Sequence, residues 1–408
     1  MESCCAVESQ GLKRVTEPTG NASGGGASSF TTLRHNGEGK FTGAFGRWAR
    51  LGPYYAMFPM EFAVATITNY SRRGGWVLDP FAGRGTSIFA AAASGRNGTG
   101  IEIHPAGWLY GQVKLNPVPH AAVLLRLRQL TACAEKVRQK DISALPEFFH
   151  WCFAPGVLRF LIAARRELDW VSGPSDRTLM AFVLTYLHGA AERSLSNQMR
   201  QAKAMAPEYS VRWWKKRRLR PMEKDVQSFL EQRINWRYRD GAPAFCQSQV
   251  YRGDAAQILP ELFDELVRYD MLFTSPPYFN VCNYHSDQWL RLWVLGGKTR
   301  PVRKADRSTG SFQSMPEYRA LLIDVFSKAA TLMKPGAAIY VRTDAREFTL
   351  ATTEEALRNA FPGRHINWRN KPFMGHTQTK LYGDSEEKPG EVDLIISARR
   401  VVHYKRDA

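Results

Sequence analysis

Cysteine is scarce in this 408-residue chain and is never spaced for a metal: six residues, at 4, 5, 133, 152, 246 and 282, with no C-x-x-C pair. That excludes zinc-finger spacing and leaves no disulfide framework, so reduced thiols in a cytosolic setting are expected, with no metal site. No run of about 18 apolar residues occurs, which argues against a membrane-spanning helix. The first residues lack the uninterrupted apolar core of a signal peptide. No internal repeat is found. Acidic residues are in deficit: 38 Asp and Glu stand against 56 Lys and Arg, a formal charge of +18. Such a surface attracts polyanions, nucleic acid foremost. A basic soluble surface without that partner is the alternative.

What is present has a clear order along the chain. Residues 1–40 hold few large apolar side chains, and "TGNASGGGASS" has the composition of a flexible linker, so a disordered tail is expected there. "GWVLD" reads as a strand, "PFAGRGT" as a tight turn, "SIFAAAASG" as a helix, "GTGIEI" as a second strand and "PAGWLYGQVKL" as a second helix. Later strands are "QVYRGDA", "MLFTS", "AAIYVRT" after Lys334-Pro335-Gly336, "HINWRN" and "EVDLIIS". The fold class expected is α/β, a Rossmann-like sheet with helices on both faces. Its sheet is drawn from 75–103, 249–344 and 365–400, within a catalytic domain expected over 41–110 and 248–408. A largely helical insertion, 111–247, separates the second strand from the third.

Ligands of open α/β sheets sit at the carboxyl ends of the strands, and "DPFAGRGT" occupies such a place. Gly83 and Gly85 permit a sharp turn and close approach of a ligand. Asp79 can accept hydrogen bonds from turn amides or from a ligand ammonium. Glu102, about 20 residues on, can take two ribose hydroxyls. The turn lacks the G-K-[ST] of a phosphate loop and the third glycine of a dinucleotide fingerprint. A structural strand-to-helix turn is the alternative. Asp254 in "RGDA" ends the next strand on the same edge. It could accept an adenine amino hydrogen, or simply cap a helix.

"MLFTSPPYFN" ends an apolar strand on Ser275-Pro276-Pro277-Tyr278, where two prolines stop any ladder. "DPFAGRGT" followed by "TSPPY" resembles the S-adenosylmethionine-dependent amino-methyltransferases of DNA, and the Ser-Pro-Pro-Tyr version resembles their N4-cytosine branch. "YYAMFPMEF" is similar to the segment that this family closes over the methionine end of its cofactor. "NYHSDQWLRLWVLG" is similar to the helix after its catalytic loop. The resemblance implies a methyltransferase sheet and S-adenosylmethionine as cofactor. It implies cofactor contacts from Phe58, Pro59, Asp79, Pro80, Phe81, Gly83, Gly85, Thr86, Glu102, Ile103, Asp254 and Ala255. It implies catalysis by Ser275, Pro276, Pro277 and Tyr278.

The chemistry accounts for the tetrad. The lone pair of an exocyclic amine is conjugated into the ring, and acceptors for its two N–H groups release it. Ser275 Oγ and the Pro276 carbonyl can be those acceptors, the latter held by fixed proline φ angles. Tyr278 offers a face for a base swung out of the duplex. N6-adenine methylation is the alternative: an Asp or Asn first position is the more usual adenine form, so Ser275 argues modestly against it, while the order of cofactor turn before tetrad, not the permuted one common among N4-cytosine enzymes, argues for it. Ring C5 methylation needs a Cys nucleophile, usually as Pro-Cys, and the absence of any Pro-Cys dipeptide argues against it. An RNA or small-molecule methyltransferase, and a nucleic-acid binder with a decayed catalytic domain, are the readings from other classes. The intact motif residues argue against decay.

The expected macromolecular partner is double-stranded DNA. "VRWWKKRRLRP" places Arg212, Trp213, Trp214, Lys215, Lys216, Arg217 and Arg218 in the insertion, pairing phosphate-neutralising charge with stacking rings. A solvated face with one buried Trp is the alternative. Asn197 and Gln198 could pair with adenine edges, and the basic stretch 297–313 is a second candidate for DNA contact. The resemblance also allows a cognate restriction endonuclease as partner and a cytoplasmic, nucleoid-associated location in a prokaryote. It leaves the oligomeric state open.

Overall fold

In the computed structural model of the protein, the described residues are 41–53, 58–265, 267–280, 283–302, 312, 314–371 and 390–397. The tail expected over 1–40, the "YYAM" of the pre-turn segment and most of the 297–313 stretch lie outside them.

The chain enters through α1 (Gly43–Ala49) and α2 (Met60–Tyr70). A β-α-β-α run follows: β1 (Trp76–Asp79), α3 (Thr86–Ala93), β2 (Asn97–Glu102) and α4 (Pro105–Leu115). Strong helix formers build α3, and Gly95, at φ +75°, ends the turn behind it. Pro105 suits the first turn of α4, where its missing N–H is not needed. Only helices come next: α5 (His120–Glu135), α6 (Gln139–Ser143), α7 (Glu147–Cys152), α8 (Pro155–Glu167), α9 (Pro174–Tyr186), α10 (Pro207–Lys216) and α11 (Val226–Tyr238). The sheet resumes with β3 (Gln249–Arg252), α12 (Ala255–Glu261) and β4 (Tyr269–Thr274), followed by α13 (Tyr284–Asp287) and α14 (Trp289–Val294). It ends with α15 (Met315–Thr331), β5 (Met333–Asp344), α16 (Glu347–Ala360), β6 (Asn367–Lys371) and β7 (Glu391–Ile396).

The strand order is β3-β2-β1-β4-β5-β7-β6, parallel except that β7 runs antiparallel to both of its neighbours. This is the Rossmann-like α/β sheet expected from the strand and turn pattern. Successive residues of each strand face opposite sides. Val77, Met271, Phe273 and Tyr340 enter one apolar cluster, while Leu78, Leu272, Ile339 and Val341 enter the other, beneath α12, α15 and α16. Being buried on both faces is why these strands read as apolar runs. The Lys334-Pro335-Gly336 turn is absorbed into β5 as a register jump, from Tyr269 opposite Met333 to Met271 opposite Ala338.

The insertion shares the first of these clusters. Leu127, Phe149, Leu161, Phe182 and Trp214 pack in the same core as Phe89, Trp108 and Phe273. It is also joined by hydrogen bonds to the helices that follow the tetrad. Arg165 donates to the Gly296 and Gly297 carbonyls at 2.9 Å each and to that of Trp293. The buried Arg291 guanidinium donates to the Leu184 and Gln201 carbonyls at 3.1 and 2.7 Å. Among the described residues no helix is long and apolar enough to cross a membrane.

Candidate active site

The chain winds from β1 outward to β3, then returns to the other side of β1 to form β4. The switch point therefore lies between the carboxyl ends of β1 and β4. Asp79 ends β1, Thr274 ends β4 with Ser275 just beyond it, and a cavity of about 210 Å³ opens there. Ten of the twelve expected cofactor residues line it: Phe58, Asp79, Pro80, Phe81, Gly83, Thr86, Glu102, Ile103, Asp254 and Ala255. All four residues of the tetrad, Ser275 to Tyr278, line it too. One concavity thus holds the turn, the ends of β2 and β3, and the tetrad.

Two expected cofactor residues lie elsewhere. Pro59 is exposed and precedes the first turn of α2. Gly85, at φ +71°, faces α4: a Cβ there would come within 2.8 Å of Gly111 Cα, so its lack of side chain serves packing between turn and helix. Gly83, at φ +55°, has open space where a Cβ would stand.

The carboxylates divide their work. Asp79 is buried and fully engaged with protein: it accepts the Phe81 N–H at 3.0 Å, the Thr274 hydroxyl at 2.6 Å and the Ser87 hydroxyl. It ties the turn to β4, which fixes the residue before Ser275. Burial pushes its pKa up to about 6, against the pull of those three bonds. Glu102 accepts the His104 N–H at 2.7 Å and a hydrogen bond from the Gly83 N–H. Burial raises its pKa to about 8, and those amides only partly offset the shift. Asp254 caps α12 by accepting the Ala256 N–H at 2.9 Å, the capping alternative, while still facing the cavity.

The cavity suits a nucleoside carrying a charged tail. Glu102 stands at a strand end beside Gly83, where no Cβ obstructs the approach of a ligand. The Thr86 hydroxyl is buried on the cavity wall with no hydrogen bond among the described residues, a donor awaiting a ligand atom. Phe58 stacks on Phe273 with ring centroids 4.6 Å apart, giving the wall an aromatic lining. Among the described residues, no group of three or more His, Cys, Asp or Glu could hold a metal ion.

The tetrad is braced. The Tyr318 hydroxyl donates to the Pro277 carbonyl at 2.9 Å, and no described residue hydrogen-bonds the Pro276 carbonyl. Ser275 Oγ donates to the Tyr278 hydroxyl at 3.3 Å, and that hydroxyl donates to Glu391 Oε1, also at 3.3 Å. Burial, and then the Glu391 carboxylate, hold the Tyr278 phenol well above its ordinary pKa.

Several residues that line the cavity or pack behind its wall were missed in the sequence. Arg84 lies between the two glycines of the turn. It is buried and donates to the Leu51 and Gly52 carbonyls at 3.2 and 2.7 Å, and burial lowers its pKa to about 10. Gly107 sits under Glu102: a Cβ there would lie 2.8 Å from the Gly83 carbonyl oxygen and 3.0 Å from Glu102 Cγ. A glycine in the first turn of an otherwise good helix was the available signal. Arg342 and Glu391 line the wall from β5 and β7. Their signal was charge at alternate positions of largely apolar strands: Arg342 and Asp344 at the end of β5, Glu391 and Asp393 in β7.

The basic segment divides by helix face. Arg212, Lys215, Lys216, Arg217 and Arg218 are exposed and Trp213 is half-buried, with Arg217 4.4 Å above its ring. Trp214 is a correction. It is fully buried, and its indole N–H donates to the Gln198 carbonyl at 2.7 Å, so it packs the insertion and presents no face to a nucleic acid. Asn197 and Gln198 are also committed to protein. The Asn197 amide donates to the Trp151 carbonyl at 3.0 Å, and Gln198 Oε1 accepts the Ala191 N–H at 3.0 Å. None of this segment borders the cavity.

A family model described as DNA methylase matches residues 28–107 of this chain, a stretch that includes "DPFAGRGT" and Glu102 and stops short of the tetrad. The chain is similar to the type II methyltransferase M.MthZI of Methanothermobacter thermautotrophicus, 31% identical over 114 residues. That match covers 28% of this chain and 30% of the relative, so it spans under a third of that protein's length. Among solved structures, a putative S-adenosylmethionine-dependent methyltransferase of Streptococcus mutans aligns at TM-score 0.33 and 9% identity, over 83% of this chain and 49% of that one. The rRNA methyltransferase aviRa of Streptomyces viridochromogenes aligns at 0.32 and 12%, over 86% and 89%. Likeness at that level decides nothing about this site.

Proposed function

We propose that this protein is a DNA amino-methyltransferase that methylates the N4 amino group of a cytosine swung out of the duplex. The observation that supports this most is one cavity joining Glu102 and the Gly83 turn to Ser275 and to a Pro276 carbonyl that no described residue hydrogen-bonds. The match of residues 28–107 to a DNA methylase family and the similarity to a type II methyltransferase agree with it.

S-adenosylmethionine, bound in the cavity, would supply an electrophilic methyl group on a sulfonium. Glu102 would hold the ribose hydroxyls, and Thr86 the polar tail. Phe58 would close the aromatic wall. Ser275 Oγ and the Pro276 carbonyl would accept the two amine hydrogens and turn the nitrogen lone pair toward the methyl. The Tyr278 ring would stack on the base. Once the nitrogen carries the methyl it is cationic, and its proton leaves to water without a strong base. The exposed charges of α10 would neutralise phosphates.

The second reading is N6-adenine methylation. It is favoured by the chain order, with the cofactor turn before the tetrad. The test incubates purified protein with duplex DNA of mixed sequence and labelled S-adenosylmethionine, digests the DNA to nucleosides and identifies the labelled one by mass. N4-methylcytosine is expected. N6-methyladenine would move the assignment to the second reading, and label on RNA alone would overturn the DNA substrate.

A further inference from the structure

A serine in the first position of the tetrad raises a question that an aspartate would not. A carboxylate oxygen can only accept hydrogen bonds. A hydroxyl can accept or donate, and it accepts from an amine reliably only if its own proton is committed elsewhere. The surroundings of Ser275 supply that commitment.

Ser275 donates to the Tyr278 hydroxyl, and Tyr278 donates to Glu391 Oε1, each at 3.3 Å. Glu391 is held from its other side, where Arg342 NH1 lies 3.3 Å from Oε2. Arg342 is fixed in turn: it forks onto the buried Asp393 at 2.7 and 3.0 Å, and Asp393 also takes the Tyr340 hydroxyl at 2.6 Å. Register explains the grouping. Arg342 stands opposite Asp393, and Asp344 opposite Glu391, in the antiparallel β5–β7 pair, so residues two apart share one face. The Phe62 ring lies 3.7 Å beneath the Arg342 guanidinium and shields it from water.

We propose that Glu391 is a positioning residue that sets the direction of this hydrogen-bond chain, and so makes Ser275 Oγ an acceptor for the substrate amine. The inference rests on the amino-methyltransferase reading. A carboxylate at the end of the chain cannot donate. Tyr278 must therefore donate to it, which leaves the phenolic oxygen to accept from Ser275, and the oxygen of Ser275, a residue of the cavity wall, is left as an acceptor. Glu391 need not touch the base, and it takes no proton. Its ring partner remains available for stacking, because the hydroxyl is bonded at the ring's edge.

The test is Glu391→Gln. Arg342 would keep the amide carbonyl, which turns the amide NH2 toward Tyr278 and reverses the chain. Ser275 would then present its O–H to the amine. The expected result in the full-length protein, on duplex DNA of mixed sequence, is a kcat about 10- to 100-fold lower, with KM for DNA and for S-adenosylmethionine unchanged within about twofold. The same substitution is made in a Tyr278→Phe background, where the chain is already cut. There it should change kcat by less than about twofold. Equal losses in both backgrounds, or a loss confined to KM, would overturn the inference while leaving the methylation reading in place. A wild-type protein that labels neither DNA nor RNA would overturn the reading and this inference with it.

Discussion

The Tyr318 hydroxyl holds the Pro277 carbonyl at 2.9 Å, one residue beyond the carbonyl that the substrate amine would use. The tetrad thus has one carbonyl committed to the protein and its neighbour left open. Tyr318 comes from α15, which packs on the sheet beside α12 and α16, so the brace spans two elements. Tyr318→Phe should leave a poorly satisfied carbonyl, destabilise the fold by about 1–3 kcal/mol and lower kcat about tenfold by loosening the 276–277 peptide. Thermal unfolding and single-turnover rates check this. A stability loss with an unchanged rate would confine the brace to folding.

Glu102 should make cofactor binding depend on pH. Its pKa of about 8 means that it holds a proton at pH 7 in the free protein. Ribose hydroxyls and a sulfonium favour the ionised form, so binding should release a proton. Affinity should rise up to about tenfold per pH unit below 8 and flatten above it. The stability sign is opposite. The native carboxyl titrates above its unfolded value, so the folded protein binds more protons between about pH 4.5 and 8 and loses stability as pH rises through that window. Calorimetry in buffers of differing ionisation enthalpy counts the proton, and Glu102→Gln should abolish the dependence. A flat pH profile in the wild type would refute it.

Gly107→Ala sets two effects against each other. In a helix, alanine ordinarily gains about 0.8–1.0 kcal/mol over glycine. Here the added Cβ meets the Gly83 carbonyl oxygen at 2.8 Å, a backbone atom that cannot step aside cheaply. We expect the contact to win, with a lower melting temperature and cofactor affinity down at least tenfold. A more stable variant with unchanged affinity would show that the turn can shift.

The two neighbouring tryptophans of α10 should behave differently. Trp214→Ala should cost about 3–5 kcal/mol as a core truncation. Trp213→Ala should cost little in stability. Replacing Lys215, Lys216, Arg217 and Arg218 with Gln should weaken DNA binding and flatten its salt dependence. An unchanged slope would return these charges to a solvated face.

The sheet was legible because its strands are buried on both sides, so Val77-Leu78 and Met271–Phe273 read as plain apolar runs between turn signals. The turn and the tetrad were legible as short local patterns. Trp214 was legible in principle: Pro207, Val211 and Trp214 lie on one helical face, and phase alone separates Trp214 from Trp213. The pair Arg342 and Asp393 was not. Its partners are about fifty residues apart and meet through an antiparallel register that no local pattern encodes. Gly107 escaped because its function depends on a carbonyl from a turn some twenty residues earlier.

The arginines that clasp the insertion to the helices after the tetrad bear on how such a protein can be re-engineered. Arg165 reaches three main-chain carbonyls at the end of α14, and Arg291 returns the grip to the 184 and 201 carbonyls. Because the anchoring points are backbone oxygens, the clasp reads the path of the chain and tolerates changes in side-chain identity along it. Residues 111–247 are therefore a poor cassette for transplantation. A graft cut at that segment's ends would leave Arg291 buried without its carbonyls. A chimera that carries α13 and α14 along with the insertion should fold where the simpler exchange aggregates.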